Sequence, residues 1–73
     1  MNIYINGIYK HYKGNYYRVL SIAKHSETLQ KLVIYQAQYG EHDIWARPIE
    51  MFLDNVGNVP RFQYIEEGEM IEL

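Results

Sequence analysis

Short runs of alternating apolar and polar positions, broken by closely spaced turn residues, organise this chain. Ile3-Tyr4-Ile5 and Ile8-Tyr9 flank Asn6-Gly7, a combination that predicts a tight β-hairpin. Lys13-Gly14-Asn15 marks the next turn, where glycine accepts the positive φ of a tight loop. From Tyr16 to His25, Tyr17, Val19, Ser21 and Ala23 alternate with Tyr16, Arg18, Leu20 and Ile22. Both faces are partly apolar, which predicts a central, bent strand. Ser26-Glu27-Thr28-Leu29-Gln30 reads as a connection. Lys31 to Tyr39 is then the clearest strand, with Val33, Tyr35, Ala37 and Tyr39 on one face and Gln36 and Gln38 on the other.

Gly40-Glu41-His42-Asp43 turns the chain into a short strand, Ile44 to Arg47. Pro48 suits the first position of a helix, where its missing N–H is not needed, and the spacing of Ile49, Phe52 and Leu53 predicts a short helix from Pro48 to Leu53 capping an open core end. Asp54 to Asn58 is turn chemistry. Val59 to Ile65 is the last predicted strand, and Pro60 marks it as an edge.

These elements predict a mainly β fold: a small, strongly bent antiparallel sheet of the SH3-like barrel type, with one helical turn near Pro48–Leu53. A mixed α+β fold is the alternative, if Ser26–Lys31 is helical. Residues 1–65 are read as one β domain and residues 66–73 as an acidic tail. The core predicted from alternation is Val19, Leu20, Val33, Tyr35, Ala37, Trp45, Phe52 and Phe62. Trp45 carries a second reading, on a surface patch with Arg47.

Seventy-three residues allow one domain with a modest core. The chain has no Cys, so no disulfide or thiolate site reinforces it, and aromatic burial must carry the fold: eight Tyr, two Phe and Trp45. Absent cysteines, the lack of a basic secretory start at Met1-Asn2-Ile3-Tyr4 and the lack of a long apolar run point to the cytoplasm, with no membrane partner. The net charge of −2 hides a split. Residues 1–39 carry Lys10, Lys13, Arg18, Lys24 and Lys31 against Glu27. Residues 40–73 carry Arg47 and Arg61 against eight carboxylates. We read the split as self-complementarity, within one fold or across a homodimer; a basic face for phosphate is the alternative.

Catalytic signals are weak. His11, His25 and His42 are too far apart for a ligand pair on one element, so neither a metal nor another cofactor is expected. His25-Ser26-Glu27-Thr28 lists a base, a hydroxyl and a carboxylate, but adjacent residues do not converge on one atom; Ser26 and Thr28 are read as shaping a turn. Glu50 is a lone carboxylate. No enzymatic constellation emerges. The strongest signal is the interleaving of aromatics and cations from Tyr9 to Tyr16, to which Trp45 and Arg47 add a second pair. Tyr9, His11, Tyr12, Tyr16, Trp45 and Arg47 are therefore the candidate binding residues of a non-enzymatic module. Its expected partner is a protein or peptide; nucleic acid is the second reading and an enzyme of unknown reaction the third.

The pattern G-x-Y-x-H-Y-K-G-x-x-Y from Gly7 to Tyr17 resembles the domain of unknown function 1653 family of short bacterial proteins. Further matching residues follow in the same order: Ala23 to Thr28, Val33-x-Tyr35, Tyr39-Gly40, Trp45-x-Arg47-Pro48, Met51-Phe52 and Pro60-Arg61-Phe62. The resemblance spans about residues 7–64. It implies a free-standing bacterial domain and transfers no site residue, cofactor or partner.

Overall fold

The alternating segments become strands in a computed structural model that describes residues 1–73. In chain order they are β1 (Asn2–Ile5), β2 (Ile8–His11), β3 (Tyr16–Lys24), β4 (Lys31–Ala37), β5 (Ile44–Pro48), β6 (Asn55–Val56), β7 (Val59–Pro60), β8 (Phe62–Glu66) and β9 (Glu69–Glu72). One helical turn, α1 (Ile49–Phe52), follows β5. No helix is long and apolar enough to cross a membrane.

Five strands form one antiparallel sheet in the order β5-β4-β3-β2-β8. Its register shifts between Val19 and Ser21 on β3 and between Ile8 and Tyr9 on β2. Such irregularities sharpen local twist and bend a strand. The sheet nevertheless stays open. β5 and β8 are its two edges and do not pair, so the expected barrel closure does not form. At Pro48 the chain leaves the sheet and enters α1, with Pro48 just outside the helical turn rather than at its first position.

Alternation fixes which face is buried. Tyr9, Val19, Val33, Tyr35 and Phe62 gather on one face, and α1 lays Ile49 and Phe52 across them. Phe52 is fully buried and stacks on Phe62 with ring centroids 4.1 Å apart and planes within 7°. Tyr9 and Tyr35 each meet Phe52 edge-on at 5.3 Å. Four aromatic rings thus make the centre of a core that aliphatic Ile3, Val19, Val33 and Ile49 complete. Of the predicted core, Leu20 is only half-buried, at the β3 register shift, and Trp45 is 52% exposed. Trp45 faces Tyr35 across the ladder, but β5 has no outer neighbour to cover the indole.

Two further expectations change. Asn6-Gly7 does make a tight turn: the Gly7 N–H donates to the Tyr4 carbonyl at 3.0 Å and Asn6 has φ 65°. The strands on either side diverge, however, and β1 pairs with β9 rather than β2. Second, residues 66–73 join the fold. Met70 and Ile71 break the acidic run, Ile71 sits opposite Ile3, and the half-buried Ile71 packs on the core. Ser26–Gln30 is a turn, closed by bonds from Leu29 N–H to the His25 carbonyl (2.9 Å) and from His25 N–H to the Gln30 carbonyl (2.8 Å). The mixed α+β alternative therefore falls.

Candidate functional site

Because side chains alternate along a strand, the face that carries the core continues outward at its β5 end. There Tyr17 of β3, Tyr35 of β4, Trp45 and Arg47 of β5, and Tyr39 just beyond β4 enclose a shallow cavity of about 220 Å³. Tyr39 and Trp45 remain 44% and 52% exposed at its rim. The Tyr17 and Tyr39 hydroxyls are 2.8 Å apart and share one hydrogen bond. Burial, this bond and the neighbouring phenols push Tyr17 up to about 12, so the Tyr17 hydroxyl keeps its proton at neutral pH.

Arg47 is fixed from two sides. Its Nε donates to the Tyr35 hydroxyl at 3.3 Å, and its guanidinium carbon lies 5.8 Å from the Phe62 ring centre. His11 meets Phe62 edge-on, with ring centroids 4.8 Å apart, and its ring centre lies 6.2 Å from that of Tyr17. Its Nδ1 accepts from the Lys13 N–H at 3.2 Å, which places the imidazole proton on Nε2. Desolvation, followed by the fields of Arg47, Arg61 and Lys13, holds His11 below the usual imidazole range.

The six residues singled out in the sequence thus fall into four places. Trp45 and Arg47 line the cleft. His11 and Tyr12 line a neighbouring recess of about 240 Å³ with Lys10, Val59, Pro60 and Gln63. Tyr16 lies opposite Lys10 on β2, whose ammonium is 5.8 Å from the Tyr16 ring centre. Tyr9 is 3% exposed, and its hydroxyl accepts from the Tyr4 N–H at 3.0 Å. Sequence reasoning missed Tyr17, Tyr35 and Tyr39. The signal was present: the Val33-x-Tyr35-x-Ala37-x-Tyr39 alternation puts Tyr39 on the Tyr35 face, just past the strand.

The remaining histidines hold turns. Nδ1 of His25 accepts from the Glu27 N–H (3.1 Å) and the Thr28 N–H (3.4 Å), and the Thr28 hydroxyl accepts from the Gln30 N–H (3.2 Å). His25 thereby takes the turn-shaping role the sequence reading gave to Ser26. His42 adopts φ 57° in the turn before β5. No three metal-ligating side chains come together. The charge split yields one ion pair between the chain's halves, Arg18 with Glu67 at 3.3 Å; Arg61 pairs locally with Asp54 at 2.7 Å.

Comparison with known proteins places the chain in a family and matches its fold. No curated protein matches the chain. A crystal structure of a DUF1653 protein from Bordetella bronchiseptica is similar at 30% identity and a TM-score of 0.75, covering 82% of this chain and 85% of that one. The family model described as protein of unknown function (DUF1653) matches residues 7–64. The chain belongs to the DUF1653 family.

Proposed function

We infer that the protein is a non-enzymatic binding module that takes an extended peptide segment of a partner protein along β5 and into the aromatic cleft. One observation carries this reading: an exposed tryptophan in a tyrosine-lined recess stands directly beside an unpaired sheet edge. The Ala37 N–H donates to the Asp43 carbonyl at 2.9 Å, and the ladder continues as Tyr35 opposite Trp45 and Val33 opposite Arg47. In an antiparallel ladder the intervening residues turn their N–H and C=O groups away from the partner. Ile44 and Ala46 therefore offer their backbone groups to an added strand. Main-chain bonds to an edge give such complexes affinity, and pockets for alternate side chains give specificity.

Nucleic acid is the weaker reading, because the chain has a pI near 5.8 and phosphate-tracking surfaces are basic. In our reading the bent sheet serves as an SH3-like barrel left open at β5, with α1 filling the gap, and the protein works in the cytoplasm.

A random heptapeptide display library selected on the intact protein tests the reading. Enriched synthetic peptides should change Trp45 fluorescence and lose at least ~10-fold in affinity on Trp45→Ala, about 1.4 kcal/mol for a central aromatic contact. The Trp45→Ala protein should melt close to the parent. Failure to enrich any peptide, or binding that ignores Trp45, refutes the proposal.

A further inference from the structure

The chain has three arginines. Arg18 is paired with Glu67 and Arg61 with Asp54, whereas Arg47 has no carboxylate within 4.0 Å. Its only hydrogen bond uses Nε, on the Tyr35 hydroxyl, so the two terminal nitrogens have no partner within the protein. This guanidinium is half-buried, rests on the Phe62 face and borders the cleft. The carboxylate that feels its charge, Asp54, is already paired with Arg61, and a held, partly desolvated cation with no carboxylate in contact is unusual, because burial of charge is ordinarily offset by pairing. Other cations gather nearby: His11, edge-on to Phe62, has Arg47, Arg61 and Lys13 as its charged influences and no carboxylate among them. At the cleft's other wall, the Tyr17 and Tyr39 hydroxyls share one hydrogen bond, which leaves one hydroxyl proton free to donate.

The geometry points to a carboxylate in the occupant: the extended peptide bound at β5 places an Asp or Glu side chain in the cleft, against the terminal nitrogens of Arg47. This rests on the peptide reading above and deepens it. A strand added to β5 sends every second side chain toward the face that carries Trp45 and Arg47. One acidic residue, opposite one of those two positions, is therefore what the register requires. Arginine's planar fork suits a carboxylate bidentately, and the flanking rings accept the aliphatic stem of the acidic side chain. Aromatic cages for cations need the opposite charge at this position.

The test uses the peptides enriched from the heptapeptide library and, for each, a synthetic copy with its acidic residue replaced by the matching amide. The inference expects an Asp or Glu at one common position and a loss of at least ~10-fold on the amide swap. Arg47→Gln should remove the difference between acid and amide copies, whatever it does to the affinity of either copy alone. Arg47→Lys, which keeps the charge and the stem, should retain only part of the preference; it also serves if Arg47→Gln fails to fold. Enriched peptides without an acidic position, or acid and amide copies bound equally, overturn this inference and leave the peptide reading standing. If no peptide is enriched, both fall. Salt-sensitive binding of a single-stranded oligonucleotide in the absence of peptide binding would overturn both in favour of nucleic acid.

Discussion

Replacing Phe52 by alanine removes the ring that joins α1 to the sheet. Phe52 is fully buried, parallel to Phe62 at 4.1 Å and edge-on to Tyr9 and Tyr35 at 5.3 Å. A buried phenylalanine withdraws ~150–250 Å² from water, which at ~25 cal/mol per Å² amounts to roughly 4–6 kcal/mol. Truncations of this kind destabilise by ~3–5 kcal/mol because the cavity closes only partly. A domain of this size has about 3–5 kcal/mol of net stability from its core. Phe52→Ala should therefore lie near or beyond its unfolding midpoint in plain buffer. Phe52→Leu keeps most of the volume and should stay folded with a lower urea midpoint. Far-UV circular dichroism across a urea titration measures both. The neighbouring Met51 is 49% exposed, so Met51→Ala should move stability by no more than ~0.5 kcal/mol. A Phe52→Ala midpoint equal to that of Met51→Ala would mean that α1 does not cover the core, and the account of the open sheet would fail with it.

Three further outcomes are expected. Gly68 has φ 81°, and a Cβ there would run into the backbone of Ile5, Asn6 and Gly7; Gly68→Ala should lose at least ~1–2 kcal/mol and the amide-exchange protection of the β1–β9 pair, and parent-like protection would refute the docking of β9. Tyr39→Phe deletes a hydrogen bond that helps hold Tyr17 near 12, so ultraviolet titration should show Tyr17 ionising closer to the ordinary phenol value of ~10; an unchanged curve would remove the hydroxyl pair from the site. His11 is held below its ordinary value, so the unfolded chain takes up a proton near ~6.5 that the folded chain resists. That contribution is full above this value and is lost as pH falls below it. Between pH 7.5 and 5.5 the parent's urea midpoint should fall more than that of His11→Gln, and an equal fall in both would count against the burial of His11.

The sheet was legible in the sequence where alternation was strong. Val33, Tyr35 and Ala37 keep one buried face through β4, and the Ile49–Phe52 spacing located the one helical turn. Other features depended on which segments meet. Asn6-Gly7 specified a turn but not the pairing of the strands beside it, because β1 found Ile71 as partner instead of β2. An acidic run concealed that strand: Met70-Ile71 is too short to show periodicity. Trp45 has the composition of a core residue, and only its place on the last strand of an open sheet leaves it in solvent. Tyr9 is the reverse case. It sits among lysines and glycines, yet its ring enters the core and its hydroxyl is taken by the Tyr4 backbone.

The cleft and the core use one set of aromatic rings. Phe62 stacks on Phe52 in the interior and presents its ring to Arg47 at the surface. Tyr35 packs edge-on against Phe52 and Phe62 while its hydroxyl holds the Arg47 Nε. Tyr17 touches Tyr35 and Phe62 and reaches Tyr39 at the rim. The cation in the cleft is thus positioned by residues that cannot be removed without weakening the fold. Positioning through a packed interior fixes a guanidinium better than a loop would. Alanine substitution of Tyr35 or Phe62 would therefore lower stability and binding together, and only changes at the outer positions, Tyr39, Trp45 and Arg47, can separate recognition from folding.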